Sequence, residues 1–433
     1  MRSITSTSRA RASRLNGVVT GSENAFHDAK LGEAWLVAYK AFADLGGKGS
    51  LFVITVVAAR MLTPEAFGLF GLGTTLGWLV AVLGDFGMQL HVARAIARSP
   101  EAAPALLRQW RGVRLVTTIG AAGVMLLGLM LTGIGRPFVL PLATFAAAYS
   151  CASLVEFLNY VYRGLSRSDV ESTLTIVHRA ATLVLALVAL VIWPSVTLLA
   201  LAMLVPSLGA LLWSWRAATT IAAETRAASS TWPAESSVLE SFSRDVLPVG
   251  LGIVLSAVYF RIDVLLVQAW AGIEAVASYN AVYRVIDALR LFPAAVLAVV
   301  LPRLCRAADL APLALVATFV TAFGCVIAAG LWISADRLVP LLFGTRYADG
   351  VPPFRILALA FPLLSLNLAL THQLVGWNRQ RAYATICGAA LVVNVALNAW
   401  LIPVWSIEGA AWATLGTEAC LTAGCAVALL GSS

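Results

Sequence analysis

Basic residues recur at every second break between the hydrophobic stretches of this chain. About twelve stretches are apolar over the roughly 20 residues that a helix needs to cross a bilayer. With the N-terminus inside, the inner breaks hold most of the arginines: Arg94, Arg98, Arg108, Arg111, Arg114, Arg163, Arg167, Arg216, Arg226, Arg244, Arg303, Arg306, Arg379 and Arg381. The outer breaks carry little beyond Arg60, Arg136, Arg337 and Arg346. Because cytoplasmic loops of membrane proteins are enriched in Lys and Arg, the pattern predicts a multi-pass protein with both termini in the cytoplasm.

The composition excludes a soluble domain. The chain is 60% hydrophobic and 12% charged, whereas a soluble domain has about a quarter charged residues. The net charge of +8 does not indicate a nucleic-acid partner, because the cations follow the inner breaks and do not cluster on one domain. Anionic lipids of the inner leaflet are the partner that this edge suits. The six cysteines lack metal-ligand spacing, and the polar N-terminal segment does not resemble a cleavable signal peptide.

The hydrophobic stretches predict an all-α integral membrane protein with about 12 transmembrane helices in two six-helix bundles around a central cavity. We expect a cytoplasmic segment over 1–37, an N-terminal bundle over 38–215, a cytoplasmic linker over 216–244 and a C-terminal bundle over 245–433. The linker is predicted from its polar, Ser- and Pro-containing composition. The predicted spans are about 38–60, 67–93, 112–133, 137–162, 171–193, 196–215, 245–270, 279–301, 311–334, 353–376, 383–403 and 409–430.

A short internal repeat supports two related bundles. The first bundle has Thr-Pro-Glu-Ala-Phe at 63–67, and the second has Gly-Ile-Glu-Ala at 272–275 followed by Tyr279. In each, a turn with Glu-Ala precedes an aromatic residue that begins the next helix. Six helices per bundle would make the two repeats parallel, and such pairs commonly give alternating access to a central cavity.

Ionisable residues inside the spans are candidate site residues, since a charge costs a few kcal/mol in a bilayer. At about 1.5 Å per residue, Arg261 and Asp263 in span seven reach the depth of Asp287 and Arg290 in span eight. The candidate substrate-binding residues are Lys48, Arg261, Arg284 and Arg290, and the candidate coupling or charge-pairing residues are Asp44, Asp85, Asp263 and Asp287.

These charges have two interpretations. Pairs such as Arg261–Asp287 or Asp263–Arg290 would hold the bundle together without a ligand. Cations outnumber carboxylates in the group, however, and a surplus of guanidinium in a watery cavity suits phosphate oxygens. His178 beside Arg179 is a weaker candidate for a proton relay. The sequence contains no catalytic triad, metal cluster or phosphate-binding glycine loop, so neither a catalytic residue nor a metal or cofactor is predicted.

Four segments resemble the bacterial polysaccharide flippases of the multidrug/oligosaccharidyl-lipid/polysaccharide exporter superfamily. These are Ala-Arg-Met-Leu-Thr-Pro-Glu-Ala-Phe-Gly-Leu-Phe at 59–70, Gly-Asp-Phe-Gly at 84–87, Tyr-Phe-Arg-Ile-Asp at 259–263 with Ala-Val-Tyr-Arg at 281–284, and Ile-Glu-Gly-Ala-Ala-Trp-Ala-Thr at 407–414. The four segments are spread over nearly the whole chain, and their order is more specific for this family than any one segment.

The resemblance implies a transporter, not an enzyme, that flips polyprenyl-diphosphate-linked oligosaccharide repeat units across the bacterial cytoplasmic (inner) membrane for polysaccharide biosynthesis. A polysaccharide polymerase and export proteins are the protein partners that it implies. Two alternatives remain open. A cation-coupled multidrug exporter of the same superfamily should carry surplus carboxylates in its cavity, and a glycan ligase or polymerase usually needs a large outer loop with catalytic groups.

Overall fold

The computed structural model describes residues 49–131, 136–226, 242–306 and 309–431, together with residues 39, 43, 46 and 47. Within these ranges the chain is almost entirely helical. Two candidate site residues, Lys48 and Asp44, lie outside the described residues, as do the segment 1–37 and most of the predicted linker. The predicted boundaries of the segment, the bundles and the linker therefore stay predictions.

The helices follow the predicted spans closely. In chain order they are α1 Gly49–Met61, α2 Pro64–Asp85, α3 Met88–Arg98, α4 Ala103–Leu131, α5 Arg136–Gly164, α6 Ser168–Ile192, α7 Val196–Arg226, α8 Leu247–Ala271, α9 Ile273–Leu289, α10 Leu291–Arg306, α11 Ala311–Phe343, α12 Val351–Gly376 and α13 Gln380–Leu430. A π-helical turn, Phe242–Val246, precedes α8, and a 3₁₀ segment, Thr345–Gly350, links α11 to α12.

Two predicted spans are each divided into two helices. The span at 67–93 breaks after Asp85, because Phe86 and Gly87 take left-handed conformations with φ of 48° and 82°. The Asp85 carboxylate accepts hydrogen bonds from the backbone N–H groups of Gly87 and Gln89 and so caps the new helix. The span at 279–301 is divided at Arg290, where α9 ends and α10 begins.

The last helix, α13, folds back on itself. Ser406 has non-helical dihedral angles, with φ 50° and ψ −128°. A Cβ atom on Gly409 would lie 2.3 Å from the Leu401 carbonyl oxygen, although residues eight apart in a straight helix are about 12 Å apart. The side chains of Asn394 and Thr417 also meet, at 3.3 Å. The sharp turn at Ser406 therefore separates the two predicted spans at 383–403 and 409–430.

Nine of the described helices, some counted together with an adjoining turn, are long and apolar enough to cross a membrane. The predicted all-helical integral membrane fold is confirmed, whereas the number of twelve spans and the cytoplasmic termini remain predictions. The helices α1 to α7 pack mainly with one another, as do α8 to α13. We refer to these sets as the N-terminal group and the C-terminal group.

Helix α2 makes the main contact between the two groups, against α8 and α9. Glycines on one face of α2 allow the close approach: a Cβ atom on Gly68 would lie 2.1 Å from the Ile273 carbonyl oxygen, and one on Gly71 would lie 2.9 Å from the Asn280 side chain. Because side chains three residues apart share a helix face, Gly68 and Gly71 form one small-residue surface that receives α9.

Two arginines join the groups at the face that contains the predicted outer breaks. Arg60, near the end of α1, donates to the carbonyl oxygens of Leu341 and Leu342 near the end of α11, with 2.9 Å between Nε and the Leu342 oxygen. Arg346 donates in return to the carbonyls of Ala59 and Arg60, the second at 2.7 Å. Each guanidinium thus caps the C-terminal end of a helix in the other group, where unpaired carbonyls carry partial negative charge. We call this contact the arginine clasp.

Gly68→Ala should destabilise the junction between the groups. The added methyl group meets backbone, which cannot move aside as a flexible side chain would, so we expect a loss of about 1–3 kcal/mol. Thermal unfolding of the purified protein in detergent measures the change. Gly123→Ala on α4 is the matched control, since nothing lies within 4 Å of its added methyl group; an equal effect of both substitutions would contradict the close-contact explanation.

Arg60→Gln combined with Arg346→Gln should loosen the clasp. Hydrogen–deuterium exchange should become faster in residues 59–70 and 341–350, because the helix ends lose their charged caps. The control is Arg337→Gln, which changes an exposed arginine of α11 without a hydrogen bond or ion pair to the described residues. Unchanged exchange in the double variant would show that the clasp does not hold this face together.

Candidate functional site

The predicted charges of spans seven and eight meet between α8 and α9. Arg261 Nη2 donates to Asp287 Oδ2 at 2.6 Å. Arg284 Nη1 lies 3.8 Å from the same oxygen. The side chains of both arginines are 10% exposed and that of Asp287 is 19% exposed. One carboxylate is therefore shared by two largely buried guanidinium groups. One of these two contacts is the predicted pair Arg261–Asp287.

Arg284 also connects the two helix groups. Its Nη2 donates to the Thr74 hydroxyl of α2 at 2.9 Å, three residues beyond Gly71 on the face that packs against α9. Its Nε is buried without a hydrogen-bond partner among the described residues. A buried donor without a partner costs about 1–3 kcal/mol, so this N–H is an unsatisfied donor in the interior of the protein.

Arg290 forms no ion pair with the described residues. Its guanidinium carbon lies 4.1 Å from the ring centre of Phe260, and the guanidinium carbon of Arg261 lies 5.0 Å from the same ring and 5.2 Å from that of Tyr283. Cation–π contacts keep the charge on the arginine and leave its N–H donors unused. Aromatic rings thus position both guanidinium groups without neutralising them.

Asp263 has neutral partners. Its Oδ2 accepts a hydrogen bond from the Tyr279 hydroxyl at 2.6 Å, and its Oδ1 accepts one from the backbone N–H of Val264 at 2.8 Å. The alternative pair Asp263–Arg290 is not formed. Asp263 and Tyr279 therefore brace α8 against α9 beneath the arginines, while Asp287 makes the ion pairs.

Asp85 lies apart from this cluster, in the N-terminal group. Its Oδ1 is 3.7 Å from Nε of Arg114, which is completely buried. Arg114 also donates to the hydroxyls of Thr118 and Ser153. The assignment of Arg114 to an inner break is wrong, because α4 begins at Ala103 and carries this arginine into the helix bundle. Asp85 therefore makes two structural contacts, the ion pair with Arg114 and the cap of α3.

Glu418 is a further candidate site residue, which the sequence analysis of spans seven and eight did not identify. It is buried in α13, where the Tyr259 hydroxyl donates to Oε1 and Asn367 Nδ2 donates to Oε2 at 2.6 Å. It lies within electrostatic range of Arg290 but does not contact it. Its position inside the predicted span at 409–430 is the signal that could have identified it, since a carboxylate at that depth is rare.

The cluster has more guanidinium groups than carboxylates that contact them. Arg261, Arg284 and Arg290 lie together, and among the described residues Asp287 is the carboxylate that pairs with Arg261 and Arg284. The other nearby carboxylates, Asp263 and Glu418, have oxygens that accept hydrogen bonds from neutral tyrosine, amide or backbone donors. The arrangement can therefore bind an anion through several charge-assisted hydrogen bonds, and guanidinium is suited to bidentate contact with phosphate or carboxylate.

A comparison with family models identifies the relatives of this chain. The model described as "Polysaccharide biosynthesis protein" matches residues 37–308, which is more than half of the 433 residues. The chain belongs to this family. The resemblance proposed from the sequence is confirmed at this level, and no curated protein gives a significant sequence match.

Solved structures of the same fold are transporters. The lipid II flippase MurJ in an inward closed conformation matches with a TM-score of 0.69 and 12% identity, over 91% of this chain and 87% of that chain. An inward-facing multidrug resistance MATE transporter of the MOP superfamily matches with a TM-score of 0.66 and 15% identity, over 90% and 97%. A MOP superfamily transporter from Pyrococcus furiosus, described as having reverse polarity of its binding pocket, matches with a TM-score of 0.59 and 15% identity, over 92% and 94%. This family member is a multi-pass membrane protein with the MOP-superfamily fold.

Asp287→Asn should destabilise the protein strongly. It leaves two guanidinium groups without their shared carboxylate, and breaking a buried ion pair costs about 3–5 kcal/mol. Asp336→Asn is the matched control, because that carboxylate pairs with Arg355 while its side chain is 66% exposed, and exposed pairs contribute about 0–1 kcal/mol. Unfolding of both variants in detergent gives the comparison; similar losses would contradict a structural role for the shared carboxylate.

Proposed function

We propose that this protein is a flippase that moves polyprenyl-diphosphate-linked oligosaccharide repeat units from the inner to the outer leaflet of the bacterial cytoplasmic membrane. In this function it is a transporter for polysaccharide biosynthesis and catalyses no covalent chemistry. The proposal rests on the family, on the membrane fold and, above all, on the group of arginines between α8 and α9.

The observation that carries the proposal is the unequal pairing of these arginines. Asp287 contacts two of the three guanidinium groups, whereas Arg290 contacts the ring of Phe260 and forms no ion pair with the described residues. An interior charge without a counter-ion is costly, so a fold that retains one gains from an anionic partner. A diphosphate joined to a lipid and a sugar has the charge, the oxygen geometry and the amphipathic shape that this place in a membrane protein requires.

The residues have separate proposed roles. Arg290 would contact phosphate oxygens first, and Arg261 and Arg284 would exchange part of their contact with Asp287 for the substrate. Lys48 would add a cation from the N-terminal group. Asp287 and Asp263 would hold the arginines and helices in position or respond to a coupling ion. Asp44 and Asp85 would have one of the same two roles, charge pairing or coupling.

The two helix groups would provide alternating access, as paired six-helix bundles do in other transporters. Helix α2 contacts the C-terminal group along its length, and the arginine clasp joins the groups at the predicted outer face. Release of the substrate outward would require this clasp to separate. The clasp consists of hydrogen bonds to exposed helix ends, which water can replace at small cost.

The alternatives agree less well with the site. A cation exporter needs surplus carboxylates facing its substrate, whereas the carboxylates near these arginines are paired or hydrogen-bonded. A ligase or polymerase needs catalytic groups in an outer loop, and the described connection from α11 to α12 is the six-residue segment Thr345–Gly350.

Arg290→Gln should reduce transport without a large loss of stability. Glutamine keeps much of the packing and removes the charge, and a hydrogen bond to a charged group contributes about 1.5–3 kcal/mol, so the rate at limiting substrate should fall about tenfold or more. Flipping of a fluorescent polyprenyl-diphosphate sugar in proteoliposomes is the measurement. Arg306→Gln, which changes an exposed arginine of α10, is the matched control.

Each result of this assay has a consequence. Normal flipping by folded Arg290→Gln would remove Arg290 from the proposed binding site. Failure of the wild-type protein to move any tested lipid-linked sugar, together with transport of organic cations, would favour the drug exporter.

A further inference from the structure

Three arginines near the predicted inner ends of α4 and α7 have no carboxylate partner. Arg108, Arg111 and Arg216 are exposed, and their side chains form neither a hydrogen bond nor an ion pair with the described residues. Other arginines of the predicted inner breaks pair with carboxylates of the protein, among them Arg163 and Arg244. The three guanidinium groups therefore keep their charge and their N–H donors for a partner outside the protein.

These arginines lie where the inner ends of α4 and α7 pack together. Trp110 of α4 and Ala218 of α7 belong to one buried cluster, and the half-buried ring of Trp215 packs against it. The guanidinium carbon of Arg111 lies 5.9 Å from the centre of the Trp215 ring, a distance at which a cation is attracted to an aromatic face. This contact places Arg111 at the level of Arg216, the residue that follows Trp215.

Each of the two helices has an exposed apolar stripe that ends in an arginine. On α4 the exposed side chain of Leu115 lies four residues beyond Arg111. On α7 the exposed side chains of Leu208 and Leu212 lie eight and four residues before Arg216. Because side chains four residues apart share a helix face, each arginine is in line with side chains that face the lipid tails. A lipid whose acyl chains cover these stripes has its headgroup at the arginines.

We propose that this surface binds an anionic phospholipid of the inner leaflet, with its phosphate at Arg111 and Arg216 and its acyl chains on α4 and α7. Both guanidinium groups would donate to the phosphate oxygens, a strong type of hydrogen bond. Arg108, one helical turn nearer the predicted cytoplasmic side, would add a third cation. Trp215 lies at the membrane–water interface, where tryptophan is enriched. The bound lipid would join two helix ends whose arginines otherwise repel each other.

Charge and shape together favour this occupant. The headgroup of a zwitterionic lipid carries an ammonium group, which three neighbouring arginines would repel. A free phosphate ion would satisfy the arginines but leave both apolar stripes without the chains that the stripes accommodate. The site is formed by other helices than the candidate diphosphate site, so the proposal does not depend on the transported substrate.

Two phospholipids with the same acyl chains test the site in native mass spectrometry of the detergent-solubilised protein. We expect the first phosphatidylglycerol to bind the wild-type protein about tenfold more tightly than phosphatidylcholine, because each nearby arginine adds attraction for the anionic headgroup. Arg111→Gln combined with Arg216→Gln should remove this preference. The matched control is Arg306→Gln combined with Arg381→Gln, which removes the same charge from exposed arginines in the predicted inner breaks of the C-terminal group and should keep the preference.

Thermal unfolding gives a second measurement, because a lipid that binds the folded protein raises its Tm. Phosphatidylglycerol should raise the Tm of the wild-type protein and of the control variant, and it should not raise that of Arg111→Gln with Arg216→Gln. Inorganic phosphate should not displace the bound lipid. Equal affinities of the wild-type protein for the two lipids, or a preference that survives the two substitutions, would overturn the proposal. Displacement of phosphatidylglycerol by phosphate would also overturn it, since the acyl chains would then contribute nothing.

Discussion

The close contact between α2 and α9 is the interaction on which the rest of the structure depends. Gly68 and Gly71 let the two helices approach until backbone and side chain touch, and in a bilayer such packing replaces the hydrophobic effect that holds soluble helices together. One turn further along the same face, Thr74 accepts a hydrogen bond from Arg284. The contact that joins the two helix groups thus also holds one of the candidate site arginines in the interior.

The site combines rigidity with incomplete charge pairing. Asp287 orients Arg261 and Arg284, the rings of Phe260 and Tyr283 support the guanidinium groups, and no carboxylate contacts Arg290 in the described part of the chain. Because a low-dielectric interior strengthens both attraction and the cost of an unpaired charge, this arrangement is stable only to the extent that its neighbours keep it in place. We regard that imbalance as the physical basis of the proposed binding of an anionic lipid carrier.

Much of the fold follows from patterns in the sequence, and the exceptions have local causes. The helical spans, the turn at Thr63–Pro64 and the fold-back at Ser406 lie at breaks in hydrophobicity. The divisions at Phe86 and Arg290 do not, because each occurs inside an apolar stretch and depends on backbone conformation. For the site, depth counting brought Arg261 and Asp287 to the same level, yet it could not distinguish that pair from Asp263–Arg290. Which pair forms depends on the rotation of the helices and on the Tyr279 hydroxyl, which donates a hydrogen bond to Asp263.

The sequence by itself determined that this is a helical membrane protein with intramembrane arginines, because the bilayer imposes length, apolarity and charge asymmetry on any chain that crosses it. It also indicated the family through the order of its short motifs. Tertiary structure alone decided which charges are neutralised, that Arg114 is buried, and that Glu418 faces Tyr259 and Asn367. These features arise from side chains that are distant in the chain and meet only when the helices pack, so no local pattern encodes them.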